Sequence, residues 1–134
     1  MSSNVVEGRA AELLRDRNFC TVSTLRADGS VQAVPVWVDL QEGLPTLNTA
    51  EGRAWPRNLE RDPRVTLTVQ NMENPYEYVT IRGRVAERTH AGADAHIDAL
   101  AGKYLGKESY PYRQPGEQRL IIRVQPEHVH TYGA

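Results

Sequence analysis

Cysteine is almost absent from this chain of 134 residues: Cys20 stands alone, so no internal disulfide can form and no cysteine-rich metal site can be assembled. Long apolar runs are missing too. No stretch approaches the ~20 residues needed to cross a bilayer, and the N-terminus carries no basic segment followed by an apolar one. Those lacks lead us to expect a cytoplasmic protein away from membranes. Lysine is scarce, with only Lys103 and Lys107 among sixteen basic residues, and the formal charge is −1. A chain so balanced offers no bulk attraction to nucleic acid or anionic lipid. Its many arginines still grip phosphate and carboxylate oxygens bidentately, which keeps small anions as expected ligands. A Gly-x-Ser-x-Gly elbow, a Gly-x-Gly-x-x-Gly run and a Walker sequence are also absent, so esterase, Rossmann and P-loop chemistry lack support.

What is present suits one folded domain spanning residues 1–134, with 40% apolar and 25% charged residues. Asn4 and Glu7 are spaced as a capping box, and Val6, Ala10, Leu13 and Leu14 then recur at helical spacing up to Arg17. Phe19 to Leu25 reads as a strand, and Asp28-Gly29 supplies a tight hairpin. A second strand is expected over 31–39, with Val34, Val36 and Val38 on one face and Ala33, Pro35 and Trp37 on the other. Apolar on both sides, it is expected to be central, or to lie against a partner subunit or a flat bound ring. Further strands are expected over 44–49, 65–70 and 76–88, the last bent or bulged at Gly83. A short polar helix centred on Asn58 interrupts them, with Pro56 in its first turn. A second amphipathic helix is expected over 93–105, and a last strand over 119–124 ahead of Pro126. The summed order predicts an α+β, mainly β protein, a closed or split antiparallel barrel with two or three short helices.

Thr49 to Asn58 join a strand end to a helix start, and hold a hydroxyl, Gly52, Arg53, Arg57 and Asn58 within ten residues. Helix N-termini present unpaired N–H groups, and arginine forks complete an anion site; capping and solvated-face roles read equally well from these residues alone. His128 and His130 share one face of an extended segment, but two histidines make no metal site by themselves, and none is expected. Arg82 and Arg84 alternate onto the face of Thr80, a pattern that a second anion site and a solvated strand face share.

Several segments together resemble the pyridoxamine-phosphate-oxidase-like split-barrel superfamily, and within it the oxidoreductases that use the deazaflavin coenzyme F420. They are Thr-Leu-Arg-Ala-Asp-Gly-Ser at 24–30, Val-Pro-Val-Trp-Val-Asp at 34–39, Asn-Thr-Ala-Glu-Gly-Arg at 48–53, Arg-Asn-Leu-Glu-Arg-Asp-Pro-Arg at 57–64, and Asn-Pro-Tyr-Glu-Tyr-Val-Thr-Ile-Arg-Gly-Arg-Val at 74–85. The resemblance implies a homodimer with two cofactor sites in the interface and hydride transfer from the reduced deazaflavin to an activated small organic acceptor. It matches Thr49, Arg53, Arg57 and Asn58 to the cofactor phosphate, and Val34, Pro35, Val36 and Trp37 to the strand under its ring. Tyr76 and Tyr78 fall near the opening. Where the F420 pattern carries a lysine, this chain has Trp55, which leaves stacking on a ring or acidic tail for Trp55 and the missing charge for Arg57. That departure keeps FMN as the alternative cofactor, and non-catalytic carriage of a flavin, deazaflavin or tetrapyrrole as a third reading. Tyr76, Tyr78, Tyr110, Tyr112 and bound water are the candidate proton donors, and the sequence does not choose among them.

Overall fold

The computed structural model describes residues 4–133, in the order α1 (Gly8–Arg15), β1 (Cys20–Leu25), β2 (Val31–Val36), β3 (Val38–Gln41), β4 (Leu44–Ala50), α2 (Ala54–Arg61), β5 (Arg64–Gln70), β6 (Tyr78–Thr89), α3 (Ala93–Leu105) and β7 (Arg119–Tyr132). All seven strands join one antiparallel sheet in the order β2-β1-β5-β6-β7-β4-β3.

Neighbours in sequence, β2 and β3 stand at opposite ends of that order, and Trp37 alone joins them. Consecutive Cα atoms are ~3.8 Å apart, so the two edges cannot separate by more than about 7 Å at this point. The sheet must curl until its edges meet there, and the result is a split β-barrel, as the strand pattern predicts.

The expected strand over 31–39 is therefore two strands that diverge at Trp37, and β2 is an edge rather than a central strand. Pro35 fits that position, because the missing N–H costs an edge strand no ladder bond on its open side.

Period-two patterning fills the barrel. Along β5, Val65, Leu67 and Val69 are buried and alternate with half-buried Thr66 and Thr68; along β6, Val79 and Ile81 do the same. They pack with Val22, Val38, Leu47, Leu120, Ile122 and Val124, and α1 adds Ala10, Leu13 and Leu14. A smaller cluster forms where Ile97, Leu100 and Tyr104 of α3 meet Trp37 and Tyr110.

Three further expectations are corrected. Helix α1 starts at Gly8, with Glu7 as an N-cap that makes no side-chain capping bond, while Asn4 donates its amide to the Glu127 carbonyl 3.4 Å away. A residue so far outside the helix cannot close a capping box. The fifth expected strand starts at Tyr78, because Asn71 to Glu77 close a turn on their own backbone hydrogen bonds. The last strand runs through Pro126 to Tyr132, since the register of β6 against β7 shifts between Arg82 and Gly83 and takes the proline into the irregularity. Gly83 is required here, because a Cβ would strike the Gln125 carbonyl oxygen.

Candidate functional site

At the barrel seam a groove of about 500 Å³ opens between β2, the end of β4, α3 and the segment leading into β7. Its volume falls in the range of small-molecule sites. Pro35, Val36 and Trp37 form one wall, Phe19, Ile97, Tyr110 and Tyr112 line much of the rest, and Asn48, Arg53 and Arg119 are its polar members.

The aromatic residues brace one another. Trp37 lies parallel to Tyr104, with ring centroids 5.2 Å apart, and Phe19 stacks on Tyr104 at 5.7 Å. Tyr110 meets Trp37 edge-on at 6.0 Å, and Tyr112 meets Tyr110 in the same way.

The Tyr104 hydroxyl donates to the Asn18 carbonyl at 2.6 Å and accepts from the Val38 N–H at 3.2 Å, which pins the stack to the seam. Burial pushes that phenol up to about 12. Beside it, Lys103 donates to the Leu14 and Val38 carbonyls at 2.7 Å, and burial pulls its ammonium down to about 8. These groups therefore hold the seam and are spent on backbone.

The polar side is built differently. Arg119 is deeply buried, with its Nε donating to Asn48 Oδ1 at 2.9 Å and its guanidinium 5.1 Å from the Tyr110 ring centroid. Glu117 lies between two arginines, 3.2 Å from Arg119 and 3.8 Å from half-exposed Arg53. Buried Arg119 Nη1, Glu117 Oε1 and Thr49 Oγ1 each lack a hydrogen-bond partner. Arg53 is also the N-cap of α2, whose first turn contains no acidic residue and receives no side-chain cap. Just before it, Gly52 has φ +93°, and a Cβ there would meet open space. The backbone N–H groups of Ala54 and Trp55 at this helix start therefore receive no side-chain cap, and Pro56 has no N–H to cap.

The residues expected from the sequence divide between this groove and other places. Pro35, Val36, Trp37 and Arg53 line it, and so do Tyr110 and Tyr112. Val34 packs against the barrel core, Thr49 is fully buried, and Arg57 is exposed on α2. Asn58 is buried and donates to Thr24 Oγ1 and Gln32 Oε1 at 3.0 and 2.9 Å, which joins α2 to the first hairpin. Trp55 sits in the main core, only 4% exposed. Tyr76 is exposed and Tyr78 stacks on Tyr132; neither lines the groove. Arg82 and Arg84 line a separate hollow with Arg64 and His128, where Arg84 pairs with Glu127 and Arg64 with Asp62.

Asn48, Arg119, Phe19 and Ile97 were not singled out from the sequence. Asn48 lies inside a quoted motif, but Arg119 had no signal beyond a charge opening an apolar strand.

An antiparallel split barrel with a mixed apolar and cationic groove at its seam defines the class: the small split-barrel proteins. The chain belongs to the pyridoxamine 5'-phosphate oxidase family, whose model matches residues 6–133.

Solved structures agree on the fold. An F420 reductase superposes with a TM-score of 0.80 at 24% identity, over 93% of this chain and 98% of that one. A conserved hypothetical protein from Mycobacterium tuberculosis gives 0.72 at 18% identity, over 98% and 88%. General stress protein 26 from Bacillus anthracis gives 0.68 at 12%, over 92% and 90%. No helix among the described residues is long and apolar enough to cross a membrane.

Proposed function

We propose that this protein is an F420-dependent oxidoreductase that reduces a small activated organic acceptor, with its groove completed in a homodimer. The observation that carries the reading is the pairing of an aromatic wall, Pro35 to Trp37 with Tyr110, with a cationic end at Arg53 and an uncapped helix start.

Those residues fit a phosphate-bearing tricyclic cofactor. The open helix start, Gly52 and Arg53 suit its phosphate, and the flat wall at the seam suits its ring. Likeness to an F420 reductase supports the deazaflavin over other rings. When bound, such a cofactor supplies hydride transfer.

The chain's own residues bind, orient and protonate. Trp37 and Val36 hold one face of the ring and keep water from it, while Tyr110 and Tyr112 offer hydroxyl protons to an acceptor in the groove. FMN on the same residues is the alternative, favoured by Trp55 where the F420 pattern has lysine.

Titration of the purified protein with F420 and with FMN tests this. Low-micromolar or tighter F420 binding with weaker FMN binding is the expected result, read by cofactor fluorescence. The opposite preference moves the protein to flavin chemistry, and binding of neither removes the reading.

A further inference from the structure

Behind the groove, five side chains make one unbroken polar chain: Asp39 on β3, His96 on α3, Asn48 on β4, Arg119 opening β7, and Glu117 just before it. His96 Nε2 is 3.1 Å from Asp39 Oδ2, His96 Nδ1 is 3.0 Å from Asn48 Nδ2, and Asn48 Oδ1 is 2.9 Å from Arg119 Nε.

Two neighbours with no choice of role dictate how the Asn48 amide lies. The Ala93 carbonyl, 2.9 Å from Nδ2, can only accept, and Arg119 Nε can only donate. The amide must therefore turn its NH₂ toward His96, whose Nδ1 accepts, so the imidazole proton sits on Nε2 and is donated to Asp39. From Arg119 through Asn48 and His96, every donor points toward Asp39. With the proton on Nδ1 instead, two donors would face each other, and turning the amide would set its oxygen against the Ala93 carbonyl and its NH₂ against Arg119.

Arg119 is thus held from behind, while Nη1 on its outer edge completes no hydrogen bond. The side chain is 2% exposed, and Nη1 has the Glu117 ion pair at 3.2 Å but no well-formed hydrogen bond. Buried donors left unpaired are costly and rare. An oxygen arriving from the groove that Arg119 lines would meet that need.

We infer that Arg119 is an anchor for an anionic oxygen, phosphate or carboxylate, on the molecule held in the groove, and that His96 and Asp39 are positioning residues acting on it through Asn48. The inference rests on the proposed function only in taking this groove as the binding site.

Two measurements on the full chain test it. Nitrogen-15 NMR of the imidazoles without ligand should show His96, identified by the signal lost in His96→Phe, with its proton on Nε2; a proton on Nδ1 overturns the inference. Binding is then compared within two pairs of probes, FMN against riboflavin and benzoate against benzamide, which differ in anionic charge. Arg119→Gln should weaken the anionic member of one pair about tenfold, as loss of a charged hydrogen bond does, and leave its neutral partner unchanged. Arg119→Lys, which keeps the charge without the fork, replaces it if the glutamine variant does not fold. His96→Phe should produce a smaller loss of the same kind, and His96→Gln, which can accept from Asn48 and donate to Asp39, should restore it; a merely structural role would not single out the anionic probe.

A loss confined to the FMN pair identifies the cofactor phosphate, and one confined to the benzoate pair identifies a substrate carboxylate. No preference for either anion, or a preference that survives in the Arg119 variant, overturns the inference. If neither FMN nor F420 binds, the proposed function fails, while the benzoate pair and the His96 tautomer still decide this one.

Discussion

Trp37 and Trp55 show how far a single residue's surroundings outrun its sequence signal. Both lie in segments matched to a cofactor site, yet Trp37 lines the groove and Trp55 packs in the barrel core. Helix α2 explains the difference: Trp55, Pro56, Asn58 and Leu59 form its buried face, which leaves Arg57 outside. The same helix was legible in the sequence, but which way its face turned was not, because eight residues leave the phase to tertiary packing.

Trp55→Ala should accordingly cost about 3–5 kcal/mol of stability, as other buried large-to-small aromatic changes do, measured by urea unfolding. Trp37→Phe should change stability far less and abolish the tryptophan quenching expected when a ligand fills the groove. Quenching that persists in Trp37→Phe would move the ligand away from the seam. Cys20 offers a simpler contrast: at the start of β1 it is fully buried among the apolar residues of the barrel core, and burial raises its thiol to about 12.

At the scale of elements, helix α1 is tied to the turn before β6 by Arg9 and Glu77. Arg9 Nε and Nη2 donate to the two Glu77 oxygens at 2.6 and 2.7 Å, and Asn71 adds a third bond at 2.9 Å. Hydrogen bonds from Arg9 and then Asn71 hold the Glu77 carboxyl at about 2, below its ordinary 4.5. A depressed carboxyl contributes stability above its unfolded value, and that contribution is lost as pH falls from about 4.5 toward 2. Asp62, held at about 2 by Arg64, titrates over the same acid range.

Glu77→Gln should therefore lower stability at pH 7 and flatten part, though not all, of the acid slope, followed by thermal unfolding between pH 7 and 2.5. An unchanged slope would assign the acid sensitivity to Asp62 and other carboxylates. No sequence pattern announces this pair, because Arg9 and Glu77 are 68 positions apart and meet only once the barrel closes. The strands themselves were legible from period-two alternation in β5 and β6, and the bulge from Gly83. The split of β2 from β3 was not, since the apolar residues run on through Trp37 without a turn signal.

For the whole molecule, the seam leaves an apolar strip facing outward. Val31 and Phe19 are 59% and 47% exposed, and Ala33 and Pro35 are exposed between them on β2. Edge strands invite sheet extension, but Pro35 withholds a donor from any strand that would add there. Under the proposed function, a second copy covering this strip would pack face to face, where side chains rather than backbone make the contact. Such packing would also close the open side of the groove, because Phe19 and Pro35 belong to both surfaces. Under the proposed function the chain should be a dimer at micromolar concentration, measured by light scattering after size exclusion, with an interface in the usual range of roughly 1,200–2,000 Å². Ala33 lines no part of the groove, so Ala33→Glu places a charge in the interface without touching the site. That variant should be monomeric, keep its fold, and bind the cofactor more weakly than wild type. A wild-type monomer would remove the dimer from the proposal, and a monomeric variant with undiminished binding would show that one chain builds the whole site.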